Sequence, residues 1–173
     1  MEDRKRGYIE KAGRQARENI LTYRSCSQAV VGAFRQLLGD AAVPEAVLKA
    51  ATGFSGGGSG TGNLCGALSG GIMVISLFAG RDAASWGDTV KKEYNAELGR
   101  RLIGYFEELY GSVNCTPLKE HIVSDDPPAA MPPESLRVLE DGTREADCSE
   151  VTRQTAMKVM EILLEEGFVT LPG

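Results

Sequence analysis

Four residues in this chain have side chains that could carry redox or metal chemistry: Cys26, Cys65, Cys115 and Cys148. Each lies at or beside a predicted helix start. Ser25-Cys26-Ser27-Gln28 reads as a capping box, and Asp147-Cys148-Ser149-Glu150 has the same form. Asn63 is a candidate cap for a helix containing Cys65, and Asn114-Cys115-Thr116-Pro117 offers two caps followed by a proline suited to a first turn. A helix N-terminus presents unpaired N–H donors and roughly half a positive charge. A thiol placed there is expected to titrate below its free value of about 8.5, giving the thiolate that ligates metals and attacks disulfides. The bland alternative is that each cysteine is a small buried hydrophobe. The spacing between them is wide, unlike the CxxC pairs of zinc ribbons, thioredoxin-like enzymes or ferredoxins. It allows four helix termini to converge on one point with one ligand each.

The stretch between the first two cysteines is also unusual. Gly53-Phe54-Ser55-Gly56-Gly57-Gly58-Ser59-Gly60-Thr61-Gly62-Asn63 is a glycine-rich loop leading into an uncharged segment. It is not a Walker loop, since no lysine occurs between Lys49 and Lys91, and G-x-G-x-x-G fails in every register. Close approach is the better account. Gly57, Gly58, Gly60, Gly62 and Gly66 are candidates to bring backbone near a cofactor, and their N–H groups could tune it. Gly66 and Gly70, like Ala67 and Gly71, are four apart and make a smooth helix face. Tight helix packing alone explains that face equally well.

The elements that would position these residues repeat at the helical period. Helices are predicted from about Tyr8 to Tyr23, from Cys26 to the stop at Gly39, and from Pro44 to Ala51. The uncharged helix runs from Leu64 to about Ala79. A long amphipathic one runs from about Asp88 to Tyr110, with Val90, Tyr94, Leu98, Leu102, Phe106 and Leu109 on one face, and Gly111 ends it. A short turn around Pro117 to Ile122 precedes 124–147, which holds four of the seven prolines and reads as a weakly structured surface excursion. Cys148 to Glu166 forms the last helix. No period-two run demands a sheet. The expected fold is all-α: a compact multi-helix bundle in one domain over 1–173, with core 8–123 plus the helix 148–166 and a loop at 124–147.

Length and composition agree with one self-sufficient core: 173 residues, 42% hydrophobic and 25% charged. The net charge of −5 gives no electrostatic reason to bind nucleic acid, and Arg4-Lys5-Arg6 reads as a solvated terminus. Leu64 to Gly80 carries no charge, but its 17 residues are shorter than the about 20 a spanning helix needs, and six are Gly or Ser. No membrane insertion is expected, no apolar signal region follows the N-terminus, and a cytoplasmic location is expected. Thiols stay reduced there, so four cysteines suggest metal or redox chemistry over structural disulfides.

Cys65-Gly66-Ala67-Leu68-Ser69-Gly70 resembles the CGAxxG motif of the redox-active proteins named for a C–GCAxxG–C–C cysteine pattern. The resemblance takes in Cys26-Ser27-Gln28-Ala29-Val30, the glycine-rich approach, Phe106 through Cys115, and Cys148, spanning about residues 20–165. It implies that Cys26, Cys65, Cys115 and Cys148 are the family's four cysteines. It also implies redox activity without an established reaction. A similar domain accompanies iron–sulfur clusters in certain cytochromes, which favours a metal.

Three functions follow as alternatives. The first is an iron–sulfur or other metal site on all four cysteines, serving electron transfer or sensing with an unidentified redox partner. The second is a thiol–disulfide oxidoreductase using a cysteine pair, and the third a helical module with structural zinc. Assembly into a homo-oligomer is left open. His121, the only histidine, reads as a surface residue. Asp125-Asp126 and Glu165-Glu166 read as solvated pairs, and Trp86 and Tyr94 as core or interface.

Overall fold

The computed structural model describes residues 2–171. Its order is α1 (Glu2–Tyr23), α2 (Cys26–Leu38), α3 (Glu45–Ala51), α4 (Gly66–Ala79), α5 (Thr89–Tyr110), α6 (Cys115–Val123), β1 (Leu136–Val138), β2 (Arg144–Ala146) and α7 (Cys148–Glu165), with 3-10 turns at Thr52–Phe54 and Pro133–Ser135. The all-α class holds. The one departure is a small antiparallel hairpin, β1 with β2, pairing Leu136 with Ala146 and Val138 with Arg144. Three-residue strands are too short to show alternation above background, so the hairpin was not legible in the sequence.

Helix α1 begins a turn and more earlier than its apolar period. Glu2 and Asp3 occupy its first turn, where acids favour the positive helix end. Ala12, Gly13 and Ala16 give it a flat face against α7; a Cβ on Gly13 would meet the Met157 side chain at 2.5 Å. The two helices are also joined through charge. The buried Glu150 accepts from Arg153 at 2.9 Å and Gln154 at 2.7 Å, and Arg153 reaches Glu10 at 2.8 Å. Helix α4 is the central element, with Leu68, Val74 and Ile75 buried between neighbours. Its Gly70 lies against the α2 backbone, where a Cβ would stand 2.6 Å from the Ser27 carbonyl oxygen, and its Gly71 against Leu102 and Val159. A single apolar cluster runs through Val30, Phe34, Leu68, Leu102, Phe106, Ile122 and Met160.

Several expectations are corrected. Ser25 makes no capping bond, and Gln28 donates to the Leu48 carbonyl at 3.2 Å in place of closing a box. Asp147 does cap α7, accepting from Ser149 N at 2.9 Å, but Glu150 turns inward to its arginine. Asp88 caps α5, accepting from Lys91 N, and Gly111 ends it at φ 66°. Val90 leaves the apolar face and is 79% exposed, because the bundle does not reach the first turn of α5. Trp86 is 75% exposed and no part of the core. His121 is half-buried, its Nδ1 3.0 Å from the Tyr110 carbonyl beneath Gly111.

Of the Glu165-Glu166 pair, Glu165 is exposed as expected, but Glu166 is half-buried and held by neighbours. Arg101 bridges both carboxylates, and Tyr94 Oη donates to Glu166 at 2.7 Å. The tyrosine hydrogen bond and then Arg101 hold the Glu166 carboxyl below the usual range. A depressed native pKa stabilises the fold above the unfolded value, and that stability is lost as pH falls through the native one. Glu166→Gln is therefore expected to flatten the decline of Tm below about pH 4.5. A decline as steep as that of the unmodified chain would remove Glu166 as the cause.

The excursion at 124–147 is anchored at its base. Ser135 is buried and its carbonyl accepts from Asp147 N at 2.6 Å, while Arg144 pairs with Asp125 at 2.7 Å. Its tip is different: residues 139–142 are all exposed, with Gly142 at φ 84°. Limited proteolysis is expected to nick this tip first, leaving two fragments that co-elute as a folded pair. First cleavage elsewhere, or uniform resistance, would count against it.

Candidate four-cysteine site

The four cysteines occupy equivalent places in four elements. Cys26, Cys115 and Cys148 are the first residues of α2, α6 and α7, and Cys65 is the N-cap of α4. All four line one cavity of about 190 Å³, together with Ile20, Arg24, Ser55, Gly56, Leu118, Lys119, Val151 and others. Cysteines 39, 50 and 33 positions apart are thus gathered on one space, and the described residues contain no disulfide.

Local geometry explains the gathering. Leu64 and Asn114 form an isolated antiparallel bridge, with Cys65 N donating to Val113 O at 2.8 Å and Cys115 N to Asn63 O at 2.7 Å. This clips the starts of α4 and α6 side by side. Asn63 therefore serves the clip and caps nothing, since Cys65 itself stands at the N-cap. Gly66 brings α2 in: its missing Cβ would lie 2.4 Å from Cys26 Sγ and 2.7 Å from the Phe54 carbonyl oxygen. Cys26 Sγ is also 3.7 Å from the Ser55 hydroxyl. Leu118 and Val151, both buried, form the apolar wall.

The glycine loop contributes less than its composition suggests. Gly56 lines the cavity; Gly57, Gly58, Gly60 and Gly62 are not among its lining residues. The N–H groups of Gly58, Gly60 and Gly62 donate to the carbonyls of Phe54, Ser55 and Gly56, so the loop closes on itself. All five of its glycines from Gly56 to Gly62 have positive φ, the conformation that explains the composition. Of the glycines predicted to hold a cofactor, Gly66 alone presses on a cysteine sulfur.

Electrostatics reverse one expectation. Burial pushes the Cys65 thiol up to about 12, outweighing the Leu68 and Ala67 amides that favour its thiolate; nearby Cys26 and Cys115 raise it further. Burial likewise raises Cys148, with Lys119 opposing and Cys115 and Cys26 reinforcing. Helix-start amides are present as predicted, but desolvation wins where the thiol is enclosed. Two uncompensated thiolates are unfavourable in this space, and four more so. No carboxylate lines the cavity; its two charged residues are the cations Arg24 and Lys119. Both were missed in the sequence, although Arg24 stands two residues before Cys26 and Lys119 four after Cys115. Among the described residues, no group of three or more His, Cys, Asp or Glu side chains is drawn together closely enough to hold a metal ion as it stands.

Fold and site define a protein of the all-α class, with one small hairpin, in which four helix starts deliver four cysteines to one cavity. The family model of the putative redox-active protein (C_GCAxxG_C_C) matches residues 24–162, and the chain belongs to that family. Its motif here reads Cys65-Gly66-Ala67, with the thiol at the N-cap and the glycine opening the helix. No curated protein and no solved structure matches the chain. No helix among the described residues is long and apolar enough to cross a membrane.

Proposed function

We propose that Cys26, Cys65, Cys115 and Cys148 form one redox site that binds an iron–sulfur cluster for electron transfer or sensing. The observation that carries this reading is the single cavity walled by all four thiols and by no acid. The donor set suits the group: thiolates are the ligands of such clusters, and a cationic core offsets charge that burial otherwise opposes. A single tetrahedral ion needs four donors about 2.3 Å from its centre. A polynuclear core takes a wider ring of ligands and suits an all-cysteine set, so the cluster is the reading put first, ahead of structural zinc. Burial of the Cys65 and Cys148 thiols makes those two poor attacking nucleophiles on their own.

A bound cluster would supply one-electron chemistry. The chain's own residues do the rest. The Leu68 and Ala67 amides point donors at the Cys65 sulfur, and the Ser55 hydroxyl can donate to a Cys26 thiolate. Leu118 and Val151 exclude water from one side. Amide and hydroxyl donors to sulfur raise a cluster's potential by stabilising its more negative state.

The test is anaerobic purification followed by iron and acid-labile sulfide analysis with a visible spectrum. Stoichiometric iron and sulfide, with broad visible absorbance that bleaches on reduction, is expected. A colourless, iron-free protein that reversibly forms disulfides among these cysteines would overturn the cluster in favour of the exchange reading.

A further inference from the structure

The chain is acidic overall, at −5, yet the charge at the cysteine cavity has the opposite sign. Arg24 and Lys119 are the only charged residues lining it, and both are exposed at its edge. Neither makes an ion pair or a side-chain hydrogen bond among the described residues, although Arg17, Arg35, Arg101, Arg144 and Arg153 all find carboxylates. Arg24 is also held in place. It sits between α1 and α2 at φ 59°, where its N–H donates to the Ile20 carbonyl at 2.9 Å. That left-handed conformation is uncommon for a side-chain-bearing residue and is ordinarily left to glycine or asparagine. The cavity behind the pair, about 190 Å³, far exceeds the about 10–15 Å³ that one water requires. Of its thiols, Cys65 is buried, while Cys26, Cys115 and Cys148 are partly accessible.

We infer that Arg24 and Lys119 form a cationic entrance that admits a small anion, of the carboxylate or oxyanion class, to the cysteine cavity. The inference rests on the reading of this cavity as the reactive site and names the class of small molecule it takes. Two unpaired cations at a low-dielectric opening raise the local concentration of an anion. The acidic surface elsewhere repels the same anion, so selectivity must arise at the entrance. A folded partner could meet the two side chains, but thiols that line a cavity are reached by a small molecule.

Iodoacetate and iodoacetamide are nearly equal in size and differ in charge, so they serve as probes. The full chain, reduced and freed of metal by chelator, is alkylated with each, and rates at Cys26, Cys115 and Cys148 are read by mass spectrometry. The ratio of the two rates cancels the thiolate fraction, which is common to both reagents. In the folded chain at low salt that ratio is expected to exceed the ratio in urea by about five- to tenfold. Salt should erase the excess. Lys119→Gln should lower it in part, and Arg24→Gln with Lys119→Gln should return it to the urea value. A folded ratio equal to that in urea, an excess unchanged in the double variant, or complete protection of these three thiols from both reagents would each overturn the entrance. Failure of the cluster reading is seen separately, in the iron analysis and spectrum, and leaves this ratio untouched.

Discussion

Cys65→Ala is expected to abolish iron loading and visible absorbance while leaving the helical fold in place. Leu68→Ala, one turn along the same helix, should do the reverse. Cys65 stands at the N-cap of α4, where two amides aim at its sulfur and the bridge to Asn114 fixes its backbone. Its removal takes away one thiol donor and creates only a small void, because alanine retains the Cβ. Leu68 is completely buried in the core cluster and is not among the residues lining the cavity; the amide it lends to Cys65 is kept in alanine. Its truncation deletes packed methyl groups and should cost about 2–5 kcal/mol. Site and core are thus separable on a single helix. Iron-to-protein ratio and denaturation midpoint, measured on both variants, check the pair. Full iron loading in Cys65→Ala would exclude this residue from the site.

The larger elements were legible because their signals are long. Helices α2, α4, α5 and α7 announce themselves by apolar period, and Gly39, Gly111 and Asp147 mark ends of three of them. The positions of Cys26, Cys65 and Cys148 at helix starts follow from those boundaries, while that of Cys115 rests on the short α6 and the Asn114–Pro117 signals. The family resemblance, carried by Cys65-Gly66-Ala67-Leu68-Ser69-Gly70, pointed to the same four thiols. Two kinds of information were not local. Burial depends on which elements cover a position, so the raised Cys65 thiol contradicts an expectation built from the helix dipole alone. The clip between Leu64 and Asn114 pairs residues 50 positions apart through single hydrogen bonds, for which no periodic pattern exists. Side chains with two plausible partners went astray for the same reason. Gln28 had a local cap to close and chose the Leu48 carbonyl; Glu150 had a similar role and chose Arg153. The composition of 53–63 led to an overestimate of the loop, since positive φ and internal hydrogen bonds account for most of its glycines.

The smooth face of α4 resolves into two functions, and alanine substitutions should tell them apart. At Gly70 the nearest atoms to a new Cβ are all α2 backbone: the Ser27 carbonyl oxygen at 2.6 Å, Cα at 3.1 Å and carbonyl carbon at 3.2 Å. Backbone cannot rotate aside, so α2 and α4 must separate, with loss of packing along both. Overpacking of this kind typically costs about 1–3 kcal/mol, and the backbone contact puts Gly70→Ala at the upper end. At Gly66 the new methyl would meet the Cys26 sulfur at 2.4 Å and the Phe54 carbonyl oxygen at 2.7 Å. The sulfur ends a rotatable side chain and can swing out of the cavity, but the Phe54 carbonyl and the Ser55 Cα at 3.2 Å are backbone and must shift. Gly66→Ala should therefore cost stability as Gly70→Ala does and also turn Cys26 out of the cavity. Reduced iron loading and faster alkylation of Cys26 would report that. Gly104 supplies the control: it is an exposed residue of α5 with nothing within 4 Å of a built Cβ. Gly104→Ala should raise stability by up to about 1 kcal/mol through helix propensity alone. The expected order of Tm is therefore Gly104→Ala above the unmodified chain, with Gly66→Ala and Gly70→Ala both below it. A Gly70→Ala protein as stable as the unmodified chain would show that α2 does not lie against α4 at Ser27. An unaltered Cys26 in Gly66→Ala would show that this sulfur does not face the start of α4.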